Sequence, residues 1–230
     1  MAALSASDAT PQRPRVLLLS IDSQPWFDEM YSYLVDKLFQ HATIQRASNS
    51  DAAVRYLSAN HPHAILATDP GLTDPSNSRA LDSVLTYVRS GGVLIFCCLF
   101  SSFINAPTFN RFMRTKLNFP WAFGDYHRTT VYLNQRAVLS SATNRYLAKE
   151  RLPQSYSQKA VHLKNVDNAV ALYLPGRDSV VESHVFLPEP VNREQTPVAF
   201  QNLGQGCVGY IGDVNGEEGS DQVILAMCGV

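Results

Sequence analysis

The chain has 230 residues, 45 % of them hydrophobic and 17 % charged, with a formal charge of -1. A chain of this length buries about 70 to 75 % of its unfolded surface and needs no disulfide or metal staple. Near-neutrality leaves no basic surplus for phosphates, which argues against nucleic acid, and no stretch reaches the roughly 18 apolar residues of a membrane span.

In chain order, residues 1–14 lack the apolar core of a signal peptide and read as a disordered N-terminal tail; 15–230 read as a single domain. "RVLLLSID" (15–22) is a uniformly apolar strand of the kind covered on both faces. "SQPWFDEMYSYLVDKLFQ" follows as a helix, with Ser23 as cap, Pro25 in the first turn, Asp28 and Glu29 at the positive end of the dipole, and Phe27, Met30, Leu34 and Leu38 on one face. "ATIQRAS" (42–48) predicts a second strand, "NSDAAVRYLSAN" a helix, and "HAILATD" (63–69) a third strand. "RALDSVLTYVRSGG" is a helix that stops at Gly91 and Gly92, "VLIFCCLFSS" (93–102) holds the fourth strand, and "PTFNRFMRTKL" (107–117) closes the unit as a helix. Consecutive βα units imply a parallel sheet with helices on both faces.

The second half reads as antiparallel strands at 129–133, 159–166, 169–175, 179–187, 196–203 and 207–214. A helix is predicted within 142–151, a hairpin around "LGQG" (203–206), and a final helix over 220–229 capped by Ser220. The fold class is therefore α/β: a flavodoxin-like three-layer sandwich with a mostly parallel sheet, extended by antiparallel strands.

This element order, with a strand after "SGG" and a "PVAF...LGQGCVGYIGD" hairpin before the last helix, resembles the class I glutamine amidotransferase-like superfamily, in its trehalose-utilisation-type branch. Catalytic members of that superfamily place a cysteine on a tight turn after a central strand, flanked two residues away by small side chains, because the strained turn brings backbone segments together. Here Ile95 and Leu99 flank Cys97, and Phe96 and Phe100 flank Cys98, so the resemblance implies a member without that elbow. Cys97 and Cys98 then read as small core residues at the end of a buried strand. The alternative reading is a cysteine-dependent hydrolase or amidotransferase with Cys98 or Cys97 as nucleophile, His127 as base and Asp125 orienting it.

Other patterns weigh less. "GQGCVG" (204–209) matches a dinucleotide fingerprint but opens a strand, not a helix, so Gly204 and Gly206 are assigned to turn geometry and no cofactor is expected. His61 and His63 in "HPH" precede a strand and read as surface residues, and the four cysteines show no metal spacing; no metal is expected. Their usage suits a reducing, cytoplasmic setting.

In open α/β sheets ligands lie outside the carboxyl ends of the strands, at the switch in strand order. Those ends hold Ser20 and Asp22, Thr68 and Asp69, Ser101 and Ser102, and Asp213 with Asn215 and Glu217. With a 2-1-3-4 order, Asp22 and Asp69 face each other across the switch point. Such an acidic, hydroxyl-rich edge suits a sugar, an amine or a cation, although Asp and Ser after strands are also ordinary helix caps. The expected function is a noncatalytic or catalytically diverged protein binding a small polar molecule or a protein partner at this edge, as a homodimer. Besides the cysteine hydrolase, a metal- or carboxylate-dependent carbohydrate-active enzyme is the other alternative, which requires two carboxylates about 5 to 9.5 Å apart.

Overall fold

The computed structural model describes residues 13–138, 147–183, 185 and 187–230. The first half contains β1 (Arg15–Leu19), α1 (Phe27–Met30), α2 (Ser32–His41), β2 (Thr43–Ala47), α3 (Ser50–Ala59), β3 (Ala64–Ala67), α4 (Ser78–Arg89), β4 (Val93–Phe96), α5 (Phe100–Phe103) and α6 (Ala106–Phe112). The helix expected over 23–40 is broken in two at Tyr31, whose φ of -109° leaves the helical range while its side chain stays buried. Ser23 does not cap it, since Trp26 occupies the N-cap position. Asn49 does cap α3, accepting from the Ala52 amide at 2.9 Å. The helix expected over 107–117 ends at Phe112 and continues as a π turn, Met113–Leu117.

The second half contributes β5 (Ala122–Leu133), α7 (Gln135–Val138), β6 (Ser155–Lys164), β7 (Ala171–Pro175), β8 (Val198–Leu203), β9 (Gly206–Ile211) and α8 (Glu218–Cys228). Among the described residues of 179–187 the expected strand does not form: Val180 makes one isolated bridge to Pro190, and Val185 and Leu187 stand 82 % and 86 % exposed. His184 lies outside the described residues, as does the first half (142–146) of the helix expected over 142–151, of which Lys149–Arg151 forms a 3-10 turn. α8 begins at Glu218, so Ser220 sits inside its first turn rather than capping it.

The nine strands form one sheet in the order β2-β1-β3-β4-β9-β8-β7-β5-β6. β2, β1, β3, β4 and β9 are parallel and the remaining pairings are antiparallel. Strands β1, β3 and β4 are almost uniformly buried because helices cover both faces. Alternation sends Val16, Leu18, Leu66 and Ile95 toward α2 and α8, and Leu17, Leu19, Ile65, Leu94 and Phe96 toward α4 and α6. Each fully buried side chain of this size stabilises the fold by about 1.5–3 kcal/mol.

β6 does not end the sheet as an open edge along its whole length. On its far side the Val161 amide donates to Gly212 O at 2.9 Å, Val214 donates to Lys159 O, and Leu163 exchanges both bonds with Thr196. The β5–β6 pair thus curls back onto the segments leaving β9 and entering β8. Gly212 permits this approach: a Cβ there would lie 2.0 Å from Val161 O. β2, at the opposite end, is an open edge.

Candidate functional site

Parallel pairing brings the carboxyl ends of β1, β3, β4 and β9 to one rim. At the first two, much of the expected polarity is spent on structure. Ser20 and Thr68 are buried and share a 2.8 Å hydroxyl hydrogen bond that stitches β1 to β3. Asp69 is buried and caps the 3-10 turn Pro70–Thr73 by accepting from the Gly71 amide at 2.9 Å, and its carboxyl also accepts from the Asp22 backbone. Burial pushes its pKa up, with Asp22 adding to the rise. Asp22 itself is exposed and lines a pocket of about 490 Å³ with Asp74, Phe103, Asn105, Thr108 and Arg111. Asp22 and Asp69 are therefore neighbours at the switch point, but Asp69 faces its own loop.

At the end of β4 the chain turns sharply into α5. Cys98 takes a φ of +57°, a left-handed value uncommon outside Gly, Asn and Asp. The expectation that Phe96 and Phe100 would forbid such a turn is corrected here. Both rings leave through the other face of the sheet and pack at 4.6 Å, while the thiol faces α2 and α8. The backbone at Cys98 is left-handed, yet its surroundings oppose a thiolate. Cys97 and Cys98 are 0 % and 3 % exposed, with their sulfurs 3.6 Å apart. Burial, Cys97 and the acids Asp221 and Asp213 raise the Cys98 pKa well above the ordinary thiol range, whereas an activated cysteine needs a cation or a dipole of the opposite sense.

Asp213, after β9, is buried and accepts from the amides of Asn215 (2.7 Å) and Glu217 (2.8 Å), which shapes the loop leading into α8. Glu217 forms an ion pair with Arg128 of β5. Ser101 is buried and bonded to Tyr210 Oη at 3.1 Å and to Ile211 O at 3.3 Å. A second pocket of about 420 Å³ opens beside it, lined by Ser102, Tyr126, Val161 and Asn215.

His127 and Asp125 lie on β5, beside a register shift between Phe123 and Tyr126. Asp125 is held by Gln195, which donates to its Oδ2 at 2.8 Å and accepts from its amide at 2.7 Å, and Lys164 stands 3.8 Å away. It makes no hydrogen bond to His127. The His127 ring packs against His162 with centroids 4.2 Å apart. Burial lowers both imidazole pKa values, that of His162 to about 3. Among the described residues no hydrogen bond joins Cys97 or Cys98 to an imidazole, and no group of three His, Cys, Asp or Glu side chains is arranged to hold a metal.

Three residues escape the sequence reading. Asp221, in the first turn of α8, is 3 % exposed, has no partner on Oδ1 among the described residues, and has its pKa pushed up to about 7 by burial and by Asp213 and Glu218. In sequence it passes for an ordinary first-turn acid. Tyr31, read as part of a continuous helix, is buried near Cys98 with an unpartnered hydroxyl. Arg111, a polar position on an amphipathic helix, lines the switch-point pocket.

No family model matches the sequence, and no curated protein does. Solved structures do match. A protein described as ThuA-like from Parabacteroides merdae superposes with a TM-score of 0.56 at 12% identity, covering 95% of this chain and 89% of that one. A second one from Bacteroides uniformis gives 0.54 at 11%, covering 98% and 94%. A cytoplasmic protein of Salmonella typhimurium LT2 gives 0.55 at 12%, covering 94% and 98%. Among the described residues no helix is long and apolar enough to cross a membrane. The likeness spans nearly the whole chain and shows its fold: the α/β architecture that these structures share.

Proposed function

We propose that this chain is a noncatalytic or catalytically diverged glutamine amidotransferase-like protein that binds a small polar molecule at the carboxyl rim of its sheet. One observation carries the reading. The residue at the turn after β4, Cys98, is sealed in the core, where burial first, then Cys97 and the nearby acids, raise its thiol pKa, while the open space at the rim lies over Asp22 and Arg111. A pocket of about 490 Å³ falls in the usual range for small-molecule sites. Ser20, Asp69 and Asp213 serve this site as scaffold, fixing the loops that carry Asp22 and Asn215. The homodimer and the cytoplasmic location belong to the same proposal.

The competing reading, a cysteine hydrolase, has the left-handed Cys98 backbone in its favour, since strained φ values gather at functional sites. Iodoacetamide labelling of the native protein across about pH 5 to 9, read cysteine by cysteine by mass spectrometry, separates the two. We expect Cys97 and Cys98 to stay unlabelled until the protein is denatured. Fast labelling of Cys98 below about pH 7 would put the hydrolase first.

A further inference from the structure

The switch-point pocket keeps opposite charges apart. Asp22, after β1, and Asp74, capping the 3-10 turn Pro75–Asn77, supply carboxylates; Arg111 of α6 supplies a guanidinium. Asp74 is held in place through Oδ1, which accepts from the Ser76 amide (2.8 Å) and hydroxyl (2.7 Å). No ion pair joins Arg111 to Asp22, Asp74 or any other acid among the described residues, and its side chain has no hydrogen-bond partner there. An aromatic ring shares the pocket: Phe103 lines it and is 46 % exposed, with the exposed Trp26 ring 6.4 Å away.

We propose that this pocket takes a small zwitterion, with its ammonium between Asp22 and the Phe103 ring and its carboxylate on Arg111. The inference rests on the small-molecule reading above and names the ligand class. A neutral polyol would leave the pocket's charges of either sign without a counter-charge, and a singly charged ligand would leave those of one sign. A zwitterion offers a counter-charge to each sign. The guanidinium fork suits a carboxylate in bidentate geometry, and an aromatic face attracts an ammonium.

Titration calorimetry on the full chain tests this with glycine, β-alanine, 4-aminobutyrate and 6-aminohexanoate, which vary the spacing between charges. Hexylamine and hexanoate serve as singly charged controls, and glucose as the neutral one. We expect at least one of the amino acids to bind about tenfold or more tighter than every control, with Asp22→Asn and Arg111→Gln each removing about tenfold or more. Both substitutions are at pocket-lining positions outside the core, so folding is kept, and circular dichroism verifies it. Binding of glucose or of a singly charged control as tightly as any amino acid overturns the zwitterion and leaves the small-molecule reading standing. No heat from any probe overturns both.

Discussion

The parallel half and the antiparallel half differ in how far their buried polar atoms are partnered. Around β1 and β3 the buried hydroxyls Ser20 and Thr68 bond each other, and Asp69 holds its loop through Oδ1, leaving Oδ2 without a partner among the described residues. Around β6 and α8, polar atoms are buried without partners among the described residues, including both ring nitrogens of His162, Oε1 of Gln158 and Oδ1 of Asp221. The first arrangement makes a rigid rim. The second makes the fold sensitive to pH, because an unpartnered titratable group resists acquiring charge in the core.

The sharpest way to break this contrast is at the curl itself. Gly212→Ala forces a Cβ against the Val161 carbonyl and should cost about 4 kcal/mol in urea unfolding; a cost under about 1 kcal/mol would mean that β6 does not need this contact.

Next comes His162. Its pKa is about 3 in the fold against 6.5 ordinarily, so as pH falls the unfolded chain takes the proton first. The stability it contributes is complete above about pH 6.5 and is lost progressively toward pH 3, about 3 kcal/mol by pH 4. His162→Phe should flatten that slope.

Asp221 acts with the opposite sign. Its pKa is about 7 in the fold against 3.8 ordinarily, so the folded state holds the proton longer, and stability falls as pH rises from about 4 to 7. Asp221→Asn should therefore stabilise the protein by about 2 kcal/mol at pH 8, a figure discounted for partial solvent screening, and by almost nothing at pH 4. Thermal melts at the two pH values read this directly.

The parallel half supplies the smallest effect. Asn49→Ala removes the cap of α3 and should cost about 1 kcal/mol, independent of pH over the same window. A pH-dependent loss there would blur the distinction between the halves.

Legibility in the sequence divides along the same line. The βα repeats follow from period and turn signals, because a strand covered on both faces must be apolar throughout; the 2-1-3-4 order does not, since that apolar pattern leaves open which strands pair. The second half defeated that logic. "SVVESHVFL" has the composition of a strand, but Val185 and Leu187 find no covering layer. β5 extends back to Ala122 through "AFGDYHR", whose glycine and charges read as a loop, because the register shift past Phe123 and the Gln195 clamp absorb Gly124 and Asp125 into the ladder. At the site, the residue types at strand ends were legible, but their direction was not. Asp22 and Asp69 look equivalent in sequence, and the nearby Gly71 amide turns one of them inward. The Cys98 turn was misjudged for the same reason: bulk beside a turn matters only on the face where the turn is crowded.

The open edge at β2 has a consequence for assembly. That strand is five residues long, and its Arg46 is tied to Asp28, two features that discourage another strand from adding. The far side of β6 is covered at Lys159, Val161 and Leu163 by the chain's own return segments, which leaves β2 as the edge open along its whole length among the described residues. Two copies meeting at β2 would use up both available edges, so edge-to-edge growth ends at a closed pair instead of propagating as a filament.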